Sequence, residues 1–100
     1  MATKRFRIMA RVSSNSPKAV KPVLEKAVGK ASVKEANGEL VVEAEMAGDS
    51  AKDLNRSLLS ALRRAEKRTR LRAEWTSDDG TTERYFDYVL KKTTKAGASP

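Results

Sequence analysis

Apolar and polar residues alternate from Lys4 to Val12, with Phe6, Ile8, Ala10 and Val12 on one side and Arg5, Arg7, Met9 and Arg11 on the other. A period of two belongs to a strand with one buried face, so the pattern begins with a strand. Ser16-Pro17 then reads as a helix start, a hydroxyl able to cap followed by a proline whose missing N–H is not needed in the first turn. Val20, Val23, Leu24, Ala27 and Val28 follow at helical spacing, and Gly29 supplies the stop. Pro22 lies deeper than the first turn, where it removes a hydrogen bond, and this would shift the start toward Lys18 or Ala19.

Asn37-Gly38 between two β-rich runs predicts a hairpin that pairs Ala36 with Glu39, Val33 with Val42 and Ala31 with Ala44. Its inner face would carry Val33, Leu40, Val42 and Ala44. From about Ser50 to Arg68 the apolar positions Ala51, Leu54, Leu58, Ala61, Leu62 and Ala65 recur at helical spacing, which predicts a second helix. Beyond it, taking Asp79-Gly80 as the two turn residues sets Trp75 opposite Arg84, Ala73 opposite Phe86, Leu71 opposite Tyr88 and Arg72 opposite Asp87. That register sends Leu71, Ala73, Trp75, Phe86 and Tyr88 to the core and Tyr85 and Val89 to the opposite face. The competing reading makes residues 82–92 a third helix with Phe86, Val89 and Leu90 inward.

The predicted order β-α-β-β-α-β-β defines an α+β fold, a ferredoxin-like split β-α-β-β-α-β with an added C-terminal edge strand and both helices on one face of an antiparallel sheet. Right-handed crossovers give the spatial order 5-4-1-3-2. A chain of 100 residues supports one core, so residues 1–92 are expected to form one domain and residues 93–100, small, polar and aperiodic, a flexible tail.

Charge and composition narrow the chemistry. With 21 Lys and Arg against 13 Asp and Glu the net charge is +8, and the chain has neither cysteine nor histidine. Disulfides, thiolate or imidazole metal sites, and Ser-His or Cys-His catalysis are therefore excluded. Phosphate-binding glycine loops are missing, and the carboxylate neighbours Glu43 with Glu45 and Asp78 with Asp79 read as ion-paired or turn residues. The expectation is a protein without enzymatic activity, cofactor or metal. Arg7 and Arg11 interrupt the N-terminal apolar stretch, and no run reaches the roughly 20 apolar residues of a membrane span, which predicts cytoplasmic residence and no membrane contact.

Between Arg56 and Arg72 seven basic residues stand against one acid, Glu66. At about 100° per residue Lys52, Arg56, Arg63 and Lys67 form one row opposite the apolar stripe of the second helix. Together with Arg64, Arg68 and Arg70 they are the candidate nucleic-acid contacts, since a basic row that meets phosphates releases counterions. A solvated helix face is the plain structural alternative. A rival surface is the open sheet face, where Arg5, Arg7, Met9, Arg11, Val41, Tyr85 and Val89 would form a mixed interface suited to a homodimer. There Glu43 and Glu45 would neutralise the strand-one arginines. Trp75 belongs to the core by the hairpin register, with base stacking as its alternative role.

The stretch Asp49-Ser50-Ala51-Lys52-Asp53-Leu54-Asn55-Arg56-Ser57-Leu58-Leu59-Ser60-Ala61-Leu62-Arg63-Arg64 resembles the last helix of the small dimerising subunit of the KEOPS tRNA-modification complex, matching at Leu54, Ser60, Leu62 and Arg63. The resemblance spans about half the chain. It implies a homodimer that contacts a catalytic subunit and tRNA without catalysis of its own, while residues 70–92 add a hairpin that this family does not require.

The sequence thus points to a small basic nucleic-acid-binding domain, for structured RNA ahead of a specific DNA sequence, that contacts phosphates through the second helix. The alternative is a homodimeric assembly or accessory subunit that uses the open sheet face to meet a protein partner with an acidic surface.

Overall fold

A computed structural model describes residues 4–94. Nine elements follow one another: β1 (Lys4–Ser14), α1 (Pro17–Val28), a short 3₁₀ turn (Lys30–Ser32), β2 (Val33–Ala36), β3 (Glu39–Gly48), α2 (Ala51–Ala65), β4 (Thr69–Ser77), β5 (Thr82–Phe86) and β6 (Val89–Thr94). The six strands make one sheet in the order β2-β3-β1-β4-β5-β6, every neighbouring pair antiparallel. The expected five-strand order 5-4-1-3-2 is corrected to 2-3-1-4-5-6, because the segment expected to be one last strand breaks at Asp87-Tyr88 and returns as a sixth strand at the edge. A third helix over residues 82–92 is likewise replaced by this hairpin. Thr93 and Thr94 belong to β6 rather than to a tail. Residues 95–100 of the expected tail lie outside the described residues.

One sheet face is buried beneath the two helices. Phe6, Ile8, Ala10 and Val12 of β1, Leu40 and Val42 of β3, and Leu71, Ala73 and Trp75 of β4 meet Val20 and Leu24 of α1 and Leu58, Leu59 and Leu62 of α2 in a single cluster. Burial of these side chains removes apolar surface from water and is the main force holding the layers together. The helix α1 begins at Pro17, as the Ser16-Pro17 pair indicates, and tolerates Pro22 on its exposed side without moving its start. In α2 the Ser50 hydroxyl accepts a hydrogen bond from the Asp53 N–H at 3.1 Å, a capping contact that satisfies one of the free donors of the first turn. This helix ends at Ala65, three residues before the expected Arg68. Glu66 is extended, its side chain accepts the Arg68 N–H, and its carbonyl accepts the Thr69 hydroxyl at 2.7 Å, so the chain turns directly into β4.

The two hairpin turns differ. Asn37 and Gly38 both have positive φ, 52° and 79°, as a two-residue hairpin loop requires, and pair Ala36 with Glu39 and Val33 with Val42. Ala31, expected opposite Ala44, lies in the 3₁₀ turn. In the β4–β5 hairpin the turn spans Ser77 to Gly80, closed by the Gly80 N–H on the Ser77 carbonyl at 2.9 Å, and Gly80 at φ 86° adds the third loop residue. Trp75 therefore faces Glu83 rather than Arg84, Ala73 faces Tyr85, and Arg72 faces Phe86. A shift of one residue exchanges the two faces of a strand. Tyr85 is accordingly buried in the core, whereas Phe86 and Tyr88, expected inside, are exposed.

Candidate functional site

The seven basic residues expected to act together divide between two sides of the molecule. Lys52 and Arg64 are exposed on the outer side of α2. Arg56, on the same side, donates to Asp53 Oδ1 at 3.2 Å and is partly neutralised. Arg63 leaves the row. Its Nε donates to the Thr69 carbonyl at 3.0 Å, its Nη2 lies 3.6 Å from Asp87 Oδ1, and its guanidinium sits 5.2 Å from the centre of the Tyr88 ring. Lys67 and Arg68 lie in the exposed turn after α2, not on the helix, and Arg70 lies on β4, on the open side of the sheet. Of the expected row only Lys52 stays on α2 without an ion pair among the described residues, and Arg64, a candidate outside that row, is exposed on the same helix.

The clamp that holds Arg63 explains the β5–β6 turn. Asp87 has φ 56°, a left-handed conformation that Asp adopts more readily than most residues. Its carboxylate accepts the Leu71 N–H at 2.9 Å, its own N–H donates to the Leu71 carbonyl at 2.7 Å, and its carbonyl accepts the Asn55 side-chain amide at 2.7 Å. Asn55 in turn accepts the buried Trp75 indole N–H at 3.1 Å. Tyr88 reaches across to the Ser60 hydroxyl at 3.1 Å. These contacts join α2, β4 and the last hairpin through polar groups that satisfy one another. The face of α2 toward β5–β6 is therefore covered.

The open sheet face has the opposite character. Arg5, Arg7 and Arg11 on β1 and Arg70 and Arg72 on β4 are exposed and form no ion pair within 4 Å among the described residues. Glu45 stands directly opposite Arg7, as cross-strand neutralisation requires, and Glu43 stands opposite Met9, but among the described residues neither glutamate closes an ion pair within 4 Å on a strand-one arginine. Arg11 is the register partner of Arg72, two like charges side by side. The ion pair on this face is Arg84 with Glu74, in which Arg84 Nη2 and Nε both donate to Glu74 Oε2, the Nε bond at 2.8 Å.

Across the middle of this face runs a shallow depression of about 330 Å³, where Arg11, Arg72 and Arg84 stand with the carboxylates Glu43 and Glu74 around Met9 and Phe86. Met9 is 51% exposed and Phe86 40%. The Arg72 guanidinium lies 5.3 Å from the Phe86 ring centre and the Lys91 ammonium 5.9 Å, both within cation–π range. Val89, the register partner of Phe86, continues the patch onto β6. Of the residues expected on this face, Arg5, Arg7, Met9, Arg11, Val41 and Val89 are there, and Tyr85 is not. Burial, and the bond its hydroxyl donates to Glu83 at 2.8 Å, push the Tyr85 phenol well above the usual tyrosine range.

Phe86 is the residue that sequence reasoning sent to the wrong side. The clue available to it was Gly80, which serves equally as the second residue of a two-residue turn or as the last residue of a three-residue loop. The second choice turns Phe86 outward. Asp79, within this turn, has its carboxyl lowered to about 2 by the Ser77 hydroxyl and by the Thr81 N–H at 2.8 Å, contacts that hold it in the loop. Among the described residues no group of three or more acidic side chains is placed to hold a metal ion, and no helix is long and apolar enough to cross a membrane. In comparisons with known proteins the chain matches no family model, no curated protein and no solved structure.

Proposed function

We propose that this chain is a small basic nucleic-acid-binding domain, for RNA ahead of DNA, whose phosphate contacts come from the open sheet face and continue into the α2–β4 turn. The observation that carries this reading is the set Arg5, Arg7, Arg11, Arg70 and Arg72, exposed on one surface without ion-pair partners among the described residues. Repulsion between Arg11 and Arg72 is relieved when an anion sits between them, so part of the cost of crowding like charges is recovered on binding. On α2 the same argument is weaker, because Arg56 and Arg63 already have carboxylate partners. Lys67 and Arg68 extend the basic path where β4 begins. The β-α-β-β-α-β order of the principal elements through β4 supports a ferredoxin-like grouping for the scaffold.

The test is fluorescence anisotropy with labelled RNA and DNA oligonucleotides over a salt series. Log affinity should fall linearly with log salt. The triple change Arg7, Arg11 and Arg72→Gln should flatten the slope by about two to three units, at roughly 0.7 to 0.9 per phosphate contact. The triple change Lys52, Arg64 and Lys67→Gln should flatten it by less. No binding at low salt, or binding indifferent to salt, rejects the reading.

A second reading is favoured by one observation, the large apolar side chains left exposed on the β5–β6 hairpin, Phe86 and Val89 on the open face and Tyr88 and Leu90 on the side of α2. In that reading the chain is a homodimeric assembly or accessory subunit, the role that the α2 resemblance to the KEOPS subunit implies. It requires a dimer that persists at high salt in sedimentation or light-scattering measurements.

A further inference from the structure

Phosphate contacts alone do not account for the centre of the open face, where an aromatic ring lies uncovered among cations. We infer that this depression takes an unpaired nucleobase stacked on Phe86, which makes single-stranded nucleic acid, rather than a duplex, the ligand of the surface; this rests on the nucleic-acid reading above.

The Phe86 ring stands on β5 with its register partners Arg72 and Val89 on either side, and 40% of its surface remains open to solvent. A hydrophobic side chain of this size on a sheet face would ordinarily be covered, and none of the described residues covers it. Arg72 and Lys91 approach the ring without closing it off. A base laid on the ring gains apolar and π contact, while the same two cations reach the phosphates on either side of it. Every base has a π-face, so the site tolerates sequence, and it needs the base out of a helix. Met9, 51% exposed in the same depression, lies two strands away and two residues along from Phe86 and offers a second apolar surface at about 12 Å, given a strand spacing of about 4.8 Å and a rise of about 3.4 Å per residue. Unpaired arginines line the path between them at Arg11 and Arg72. The occupant is set by the balance of charge: Arg11, Arg72 and Arg84 in the depression and Lys91 at the ring outweigh Glu43 and Glu74, which favours a polyanion over a second copy of the same basic face.

The experiment compares the unmodified chain with Phe86→Leu and Phe86→Trp, using labelled single-stranded RNA, single-stranded DNA and duplex RNA as probes, at one fixed salt and then across a salt series. The single strands should bind more tightly than the duplex. Phe86→Leu keeps an apolar side chain of similar reach but no π-face, and should weaken single-strand binding roughly 5- to 150-fold, the range for one lost stack, with the salt slope unchanged. In Phe86→Trp the introduced indole should retain affinity and be quenched by added oligonucleotide, a signal distinct from the buried Trp75. Preference of single-stranded RNA over single-stranded DNA would show that the sugar is also read; equal binding leaves the base alone as the ligand, and both results support the proposal. If Phe86→Leu binds the single strand as tightly as the parent, or if duplex RNA competes equally, stacking is wrong while nucleic-acid binding stands. If no probe binds at low salt and the chain is instead a salt-resistant dimer, the underlying reading fails and this one with it.

Discussion

Asn55 is a polar residue at a buried position of α2, and its two amide atoms are both used, one by the Trp75 indole N–H and the other by the Asp87 carbonyl. Leaving two buried groups without partners is costly because neither can return to water. Asn55→Ala should therefore lower unfolding free energy by roughly 2–4 kcal/mol, seen as a shift of the urea midpoint. A loss below about 0.5 kcal/mol, the scale of an ordinary surface change, would mean that water replaces the amide. Tyr85 makes a second prediction at this scale. Its phenol is held protonated in the fold above the ordinary value of 10.0, so the unfolded chain loses this proton first as the pH rises. The stabilisation is complete below 10.0 and is lost as the pH climbs above that value. Tyr85→Phe should thus flatten the decline of stability with pH in the alkaline range, and an equally steep decline in the variant would show that Tyr85 is not the group responsible.

At the scale of elements, the approach of α2 to the end of β3 depends on a missing side chain. A methyl group at Gly48 would stand 2.7 Å from both Cγ and Cδ2 of Leu54, far inside ordinary contact. Gly48→Ala should displace the first turn of α2 and cost about 1–3 kcal/mol, the range for overpacking. A thermal melt that matches the parent would show that Leu54 swings aside without loss. The elements also differ in how far local residues decide them. Phe6 to Val12, the Asn37-Gly38 turn and the Ser50 cap are local signals, and the structure forms β1, the β2–β3 hairpin and α2 from them. The last hairpins depend on choices that local signals leave equal. Gly80 suits two loop lengths, and Asp87 marks a turn without a glycine or proline beside it. What settles both is distant: Asp87 bonds to Leu71 of β4 and Asn55 of α2, so its turn forms only when those elements are in place.

For the molecule as a whole, a net charge of +8 sets stability against solubility. Like charges crowd on the open face, with Arg11 beside Arg72, so raising salt from low to physiological strength should increase the melting temperature while weakening nucleic-acid binding. Melting that is indifferent to salt would indicate that these arginines are already compensated. The sheet has two edge strands, β2 and β6, and on β6 Lys91 and Lys92 give the charge that discourages pairing with another chain. Lys91→Thr with Lys92→Thr should raise self-association in light scattering; a monomer at all concentrations would locate the protection elsewhere.

By itself the sequence determined the alternating strand, the two amphipathic helices, the tight Asn37-Gly38 hairpin, the excess of positive charge and the exclusion of thiol and imidazole chemistry, because each is a property of residue type or of neighbours along the chain. The tertiary structure alone decided which basic residues are free and which aromatic faces out. Arg63 is tied down by Thr69, Asp87 and Tyr88, and Arg56 by Asp53, while Arg7 stands opposite Glu45 without an ion pair within 4 Å and Arg11 stands opposite Val41 and Arg72. Phe86 and Tyr85 exchange sides through a single residue of loop length. Charge pairing and strand register both depend on distances between segments far apart in sequence, and a difference of one residue in a period of two reverses the face on which every later side chain lies.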